Sequence, residues 1–388
     1  DILGRNQIFA AASVNGEIYD FGGQVAFINQ QSRINWGVGV SHIPYISASL
    51  SDDFETLNVE GGSIDTYRSS YDVIRRFEDQ IQVFGSYPFS RIHRFEAGAS
   101  AAMYSYRVDR YSEYYTYDTD NSGRIFLTGG LGADREKVSL DEANQYYNQY
   151  GINFEKFAIV GLDAAFVGDN SYSGITSPLS GFRYRVGVTQ YTGDYKFGVL
   201  TADLRKYQRV NPVTFAARVL SSTRFGNDQD NIIGQFIGYP YFIRGYEANS
   251  FYKRGNTGGN GFSIEQLVGT KIAVANFEVR LPFTGPKRLT AIESKYLFSD
   301  LNAFFDIGIA YNRNSTVAFR SEPRAIPSGV DANGNTVFSY ERVPAMSAGL
   351  SLRVNVFGYF VLEPYYAFPF QRKDITGGIF GLTFAPGW

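Results

Sequence analysis

The chain has 388 residues, a net charge of −2 and no cysteine. The near-neutral charge argues against nucleic-acid binding and against a strongly basic membrane-surface patch, and the lack of cysteine excludes disulfides and metal–thiolate sites. Tyr, Phe and Gly number 29, 33 and 41, a composition rich in strand formers and turn formers that favours an all-β fold.

Short segments in which polar and apolar residues alternate recur along the chain, each followed by a turn signal. A period of two predicts β-strands, because successive side chains of a strand point to opposite faces. We predict fourteen strands directly, at 7–14, 24–29, 34–45, 71–86, 92–108, 157–167, 181–191, 195–207, 213–225, 270–283, 303–312, 346–355, 359–370 and 378–384.

The segments between these strands are of two kinds. Turns of a few residues alternate with long stretches at 46–70, 109–156, 226–268 and 313–343. Short periplasmic turns and long extracellular loops are typical of outer-membrane barrels. Residues 109–120 are acidic and rich in tyrosine, and we expect them to form a solvated loop or a strand rim at the headgroup level.

Residues 350–355 alternate strictly between apolar and polar side chains. A soluble sandwich gives the same pattern with its apolar face inward, so periodicity alone leaves both folds open.

The longest apolar runs, 157–162 and 356–362, are far shorter than the roughly 18 residues of a spanning helix. Closed barrels cross a bilayer without such helices, and their alternation accounts for a mean hydropathy of −0.21. Loop asymmetry and the terminal aromatic Trp388 favour a transmembrane antiparallel β-barrel.

One segment of the long stretch 226–268 carries a motif. Residues 241–246 read Tyr-Phe-Ile-Arg-Gly-Tyr. They resemble the Val/Ile-Arg-Gly-Phe/Tyr motif of the BamA/TamA-type outer-membrane insertase superfamily, found there in an extracellular loop that folds back into the barrel. The residues that carry this resemblance are Ile243, Arg244, Gly245 and Tyr246.

Further matches follow in the order that this superfamily shows. Residues 274–283, with Glu278 and a terminal Pro-Phe, are similar to the strand after the loop. Residues 304–308 read Phe-Phe-Asp-Ile-Gly and resemble the Phe-x-Asp-x-Gly strand of the family. The resemblance implies that Asp306 faces the lumen and meets the loop arginine, with Gly308 in the same motif.

Two more segments, 347–350 and 366–370, resemble the penultimate strands of that sixteen-stranded barrel. Sixteen strands are therefore expected here, the missing pair lying within 52–70 and 121–140.

We expect a single barrel domain over residues 1–388, with periplasmic N-terminal domains outside this chain. Weaker matches at 2–4, 35–40 and 86–91 look like the branch whose barrel follows a TolB-like propeller or another periplasmic domain. Because Asp1 opens a polar stretch and not a secretory signal, we interpret the chain as mature or cut from a longer one.

The central charges can also be interpreted without the family. Arg244 on a loop inside a narrow lumen would be costly unless its guanidinium were paired. Glu278 and Asp306 alternate with apolar neighbours, so each can face inward and accept a bidentate contact. The alternative is that all three charges face lumen water.

Catalytic chemistry finds little support in the sequence. The two histidines, His42 and His93, lie in separate predicted strands, and no Gly-x-Ser-x-Gly nucleophile elbow occurs. We therefore expect no enzyme activity, no metal site and no cofactor.

The resemblance implies a protein of the bacterial outer membrane that assists insertion or folding of other outer-membrane proteins through a lateral seam. The seam would lie between the first and last strands, where glycines flank a short final strand and Pro386 lacks a donor. Its candidate residues are Phe9, Gly378, Phe380, Gly381 and Trp388.

Two other functions stay open from the sequence. One is a polypeptide secretion pore of the two-partner type, and the other is a membrane anchor or receptor for a periplasmic or surface partner. Expected partners are the lipid bilayer and lipopolysaccharide, unfolded outer-membrane protein clients, and periplasmic or lipoprotein accessory subunits, with no nucleic acid.

Overall fold

A computed structural model describes most of the chain. Among its described residues, no helix has the length and apolar character needed to cross a membrane. The described residues are 5–14, 20–59, 62–120, 123–148, 153–174, 176–252, 257–258, 262–287, 290–330, 336–373 and 375–384.

Antiparallel strands dominate from end to end. The first part of the chain contains β1 Asn6–Val14, β2 Phe21–Asn29, β3 Asn35–Val59, β4 Gly62–Pro88, β5 His93–Thr119, β6 Ile125–Val138, helix α1 Leu140–Tyr147 and β7 Phe157–Asp169. The middle contains β8 Tyr172–Ser173, β9 Pro178–Gly193, β10 Phe197–Val210, β11 Val213–Phe225, β12 Gln235–Phe236, helix α2 Ala248–Tyr252, β13 Thr257–Gly258, β14 Phe262–Ser263, the 3₁₀ helix Ile264–Leu267 and β15 Val268–Gly269. The remainder contains β16 Lys271–Gly285, β17 Ile292–Glu293, β18 Phe298–Tyr311, β19 Ala325–Val330, β20 Thr336–Tyr340, β21 Ala345–Val356, β22 Phe360–Pro369 and β23 Ile379–Thr383.

In the described part of the chain, seventeen strands share one sheet, against the sixteen expected from sequence. Two of them, β8 and β17, have only two residues each. The chain forms two compact units. The first comprises Asp1–Gly85, Gly98–Gly161 and Thr192–Asp194, and the second comprises Ser86–Ala97, Leu162–Tyr191 and Tyr195–Trp388.

The first unit contains most of the three longest strands. Strands β3, β4 and β5 have 25, 27 and 27 residues, whereas a membrane-crossing strand needs about 9–11. Residues 46–59 and 62–70 therefore belong to strands and not to a loop. The extra strand expected within 52–70 corresponds to the continuations of β3 and β4, and the one expected within 121–140 corresponds to β6. The acidic, tyrosine-rich stretch 109–120 likewise continues β5 through Thr119, and β6 pairs with this outer part.

Polar contacts and a small apolar cluster hold this unit together. The buried Arg75 guanidinium lies 2.6 Å from both Asp20 and Asp109, so its charge is balanced where water is excluded. Ser139 is the N-cap of helix α1, and its hydroxyl accepts a hydrogen bond from the Glu142 amide. The buried cluster comprises Val108, Val138, Ala143, Tyr147 and Phe154.

The second unit contains a continuous antiparallel series of eight strands: β9, β10, β11, β16, β18, β21, β22 and β23. A two-residue turn at 211–212 joins β10 to β11, whereas the stretch 226–270 separates β11 from β16. Every other residue of a strand faces the same side. The inward positions of β16 and β18 are therefore presented to the residues of the long stretch.

Burial along these strands is inverted relative to a soluble protein. Leu350 is 58% exposed while Arg353, on the opposite face of β21, is 1% exposed. A sandwich would bury the leucine face, whereas a membrane barrel turns its apolar face to lipid. The side on which the polar residues lie therefore separates the two folds that periodicity left open.

Leu350→Arg tests this assignment of faces. A cation near the middle of a lipid-facing strand costs about 2–4 kcal/mol, so we expect the free energy of unfolding from phospholipid vesicles to fall by that amount. The matched control is Phe319→Arg, which replaces an 87% exposed aromatic residue outside the strands and should change stability little. Equal effects of the two substitutions would contradict the lipid-facing assignment.

Candidate functional site

The loop between β11 and β16 places its central residues in the interior of the second unit. The amides of Phe242 and Ile243 both donate to the Tyr239 carbonyl oxygen, at 2.8 and 2.9 Å, which closes a tight turn. Ile243 and Tyr246 are fully buried, and Arg244 is 3% exposed. The loop is thus anchored by the motif predicted from sequence.

Arg244 is surrounded by carboxylates. Its Nε and Nη2 donate to the two oxygens of Asp306, each at 2.8 Å, in a bidentate contact. Its Nη1 donates to Glu278 at 2.9 Å and lies 3.3 Å from Glu363. The guanidinium also stacks over the Phe304 ring, 3.6 Å from the ring centroid. Burial disfavours its charge, but the carboxylates of Asp306 and Glu278 outweigh burial and hold the pKa of Arg244 above its usual range.

Two further arginines extend this contact into a cluster of six charges. Glu278 accepts from Arg280 Nε at 2.8 Å and from Arg353 Nη2 at 3.0 Å, in addition to Arg244. Glu363 accepts from Arg353 Nε at 3.0 Å. Three guanidinium groups therefore face three carboxylates, and the formal charge of the buried cluster is zero.

Strand β18 meets the loop through three successive inward positions. Phe304 lies under the Arg244 guanidinium and Asp306 pairs with it. At Gly308, an added Cβ would lie 2.6 Å from Ile243 Cδ1, so any other residue would force the buried Ile243 side chain to move. The Phe-x-Asp-x-Gly pattern is therefore a complementary surface for residues 243 and 244.

Gly245 has a second steric reason to be glycine. Its φ of 87° lies in the left-handed region, and an added Cβ would lie 3.1 Å from Ala367 Cβ. The following Tyr246 hydroxyl donates to Gln371 Oε1 at 2.6 Å. Turn geometry and burial together explain why the motif combines Arg, Gly and Tyr.

Glu247 connects the loop to β22 and, through Tyr365, to the last strand. Its Oε1 accepts from the Gly245 amide at 3.0 Å and from the Tyr365 hydroxyl of β22. An added Cβ at Gly381 would overlap the Tyr365 ring. Tyr365 therefore occupies the space above Gly381 while its hydroxyl is held by the loop.

The structure brings the predicted loop and lumen residues together. Arg244 pairs directly with Glu278 and Asp306, and the neighbouring Ile243 side chain lies against Gly308. Of the seam residues, Phe9 lies on β1, and Phe380 and Gly381 lie on β23 with Gly378 just before it. Trp388 lies outside the described residues, and the seam stays a prediction.

Several residues of the site escaped the sequence argument. Arg280, Arg353 and Glu363 complete the charge cluster, and Asn276 donates to both Asp306 and the Phe242 carbonyl oxygen. The alternation of polar and apolar residues along each strand could have identified them as facing inward, since Arg353 lies on the polar face of residues 350–355. Which inward charges meet across the interior depends on strand register.

The Omp85 superfamily domain matches residues 2–387. BamA from Haemophilus ducreyi lacking POTRA domains 1–3 has 12% identity and a TM-score of 0.48, covering 97% of this chain and 68% of that one. CdiB from Acinetobacter baumannii has 13% identity and a TM-score of 0.42, covering 97% and 58%. Comparison with curated protein sequences gave no match.

The fold and its inverted burial are those of a bacterial outer-membrane β-barrel. The chain belongs to the Omp85 superfamily. The chain spans 68% of the length of that BamA chain and 58% of the length of the CdiB chain.

Arg244→Ala tests the ion-pair cluster. Removing the guanidinium leaves Asp306 without its bidentate partner where water is excluded, which costs about 3–5 kcal/mol. We expect the loop to become sensitive to protease under conditions where the wild type resists. Asp306→Ala should have a comparable effect, since it leaves the same guanidinium with one partner fewer.

The matched control is Arg320→Ala. Arg320 pairs with Glu341 at 3.3 Å and is 35% exposed, so its loss should cost at most about 1 kcal/mol. If both Arg244→Ala and Asp306→Ala leave folding, protease resistance and activity unchanged, the buried pair has no role in holding the loop.

Gly308→Ala tests the steric fit of the loop. The added methyl group meets Ile243 Cδ1, so we expect a loss of about 1–3 kcal/mol in the free energy of unfolding. Ile243→Val removes that Cδ1 and should restore part of the loss in the double variant. Gly329→Ala, where nothing lies within 4 Å of an added Cβ, is the control. Strictly additive effects would show that the two residues do not press against each other.

Proposed function

We propose that this protein assists the insertion or folding of other outer-membrane proteins, and that its last strand supplies the edge on which a client strand pairs. The proposal is for a non-enzymatic protein. The observation that carries it is the limited pairing of β23. Among the residues that the structure describes, five residue pairs join β23 to β22, whereas thirteen join β10 to β11.

Fewer ladder hydrogen bonds make a strand easier to displace, and an exposed strand edge is a template for another strand. Glycine supports the same conclusion, because Gly381 contributes no side chain of its own to packing. A client strand could therefore take up main-chain pairing beside β23 without the loss of a large packed interface.

The inner side of β23 is also incompletely packed. A cavity of about 310 Å³ lies between this strand and the loop, lined by Pro240, Glu247, Tyr365, Ile379 and Phe380, among others. Side chains that border a cavity lose van der Waals partners on that side. Movement of β23 would therefore break few packing contacts in this region.

The loop provides a means of controlling that movement. Arg244 anchors the loop to β16, β18 and β22, and Glu247 of the same loop holds the Tyr365 hydroxyl over Gly381. Displacement of the loop would release Tyr365 and with it one support of β23. We infer that loop position and strand release are coupled.

The partners follow from this mechanism. The proposal requires the lipid bilayer with lipopolysaccharide in the outer leaflet, and unfolded outer-membrane proteins as clients. Periplasmic or lipoprotein accessory subunits would deliver those clients. No cofactor or metal takes part in strand pairing, which is main-chain hydrogen bonding.

A reversible cross-link tests the proposed seam. Because the chain has no native cysteine, Phe9→Cys with Phe380→Cys, scanned over neighbouring registers, can be oxidised without background disulfides. We expect the oxidised protein to remain folded and to lose the ability to insert a client barrel into vesicles. Reduction should restore that activity.

The control places the same bond where no opening is proposed. Ala348→Cys with Phe368→Cys joins directly opposite residues of β21 and β22, and oxidation should leave insertion intact. A locked Phe9–Phe380 pair that still inserts clients at full rate would rule out lateral opening. A secretion pore or a membrane anchor would then explain the protein better than an insertase does.

A further inference from the structure

The outward face of the second unit contains a row of residues with one charged member. Across the register, Phe182 lies opposite Lys206, Lys206 opposite Ala217, Ala217 opposite Phe277, and Phe277 opposite Phe305. Directly opposite residues share a face of the sheet. A lysine and a small residue are therefore adjacent in a row that is otherwise aromatic.

Two grooves meet at this point. One of about 420 Å³ and another of about 470 Å³ are both lined by Lys206 and Ala217. Their remaining walls are mainly apolar, because Ala217 leaves a depression between larger neighbours. The outward lining consists mainly of aromatic and aliphatic side chains, among them Phe182, Phe277 and Phe305, with Gln208 as a further polar residue near Lys206.

The lysine is unusual for its surroundings. At the outward positions of β10, β11, β16 and β18, the charged residues are Lys206 and Lys271. Among the residues that the structure describes, no ion pair involves Lys206. A cation on the lipid face is tolerated where it can reach the interface or an anionic partner.

Topology assigns Lys206 to the periplasmic side. Strand β11 begins at the two-residue turn 211–212 and ends at the long stretch 226–270, and long loops lie outside the cell. Lys206 is four residues from the Val210 end of β10, about 13 Å along the strand. Its aliphatic stem can carry the ammonium toward the periplasmic interface, whereas Lys271 begins β16 at the opposite end.

We propose that these grooves bind one glycerophospholipid of the periplasmic leaflet. An acyl chain lies in the apolar depression over Ala217, and the Lys206 ammonium pairs with the phosphate. Shape and charge both support this occupant, since the groove is mainly apolar and Lys206, the one cation at an outward position of its lining, lies on the headgroup side. Lipid A belongs to the other leaflet and would meet Lys271 instead.

Native mass spectrometry of the full chain in detergent with phosphatidylglycerol tests the proposal. We expect the wild type to retain one phosphatidylglycerol. Lys206→Gln should weaken that binding about fivefold, the usual contribution of one lysine to holding an anionic lipid. Ala217→Phe fills the depression without changing charge and should weaken binding as well. Slower migration of each variant on a gel after heating confirms that it is folded.

Lys271→Gln is the matched control, because it removes the same charge from the same face at the other end of the strands. It should leave phosphatidylglycerol binding unchanged. The proposal is wrong if Lys206→Gln and Ala217→Phe both bind as the wild type does, or if Lys271→Gln loses as much. It is also wrong if lipid A, and not phosphatidylglycerol, binds in a manner that depends on Lys206.

Discussion

A buried guanidinium must be paired, and this requirement at Arg244 governs the interior of the second unit. Three strands, β16, β18 and β22, each supply one carboxylate to it. Those carboxylates would repel one another if Arg244 were their only counter-charge, and Arg280 and Arg353 complete the balance. One loop residue thus links strands that are not all neighbours in the sheet.

Ion pairs alone do not account for the position of the loop, because desolvation offsets much of the attraction between buried charges. The loop also carries apolar residues into the interior, and their burial supplies a net driving force. We infer that the apolar contacts hold the loop in place while the charges select its register. The apolar cluster comprises Ile237, Ile243, Tyr246, Phe251, Phe262, Leu267, Ile272, Val274, Ala310, Val343 and Ala345.

The two faces of the same strands have separate tasks. On β10, the inward Asp203 and Arg205 pair at 2.6 Å, while the outward Lys206 faces lipid beside an apolar groove. On β22, Glu363 meets the loop arginine from the inner side. Because strand side chains alternate strictly, a lipid contact and a loop contact can be changed independently by substitutions one residue apart.

Each of the fourteen strands predicted from sequence overlaps a strand of the structure, and the structure adds the extended outer parts of β3, β4 and β5. The prediction of a loop at 46–70 rests on the alternation of short turns with long gaps, and that of a loop or strand rim at 109–120 rests on its acidic, tyrosine-rich composition. Their threonine and tyrosine content is equally compatible with strands that continue beyond the membrane, and local pattern does not separate the two.

For the candidate site, the sequence by itself determined the residues that resemble a family motif: Arg244, Asp306, Gly308 and the strand that bears Glu278. It did not reveal Arg280, Arg353 or Glu363 as their partners. Periodicity assigns a residue to a face of its own strand, but the partner across the interior depends on strand register and loop path. Only the tertiary structure fixes strand register and loop path. It also decides that the polar face lies inside and the apolar face meets lipid, because the alternation along a strand is the same in a sandwich and in a barrel.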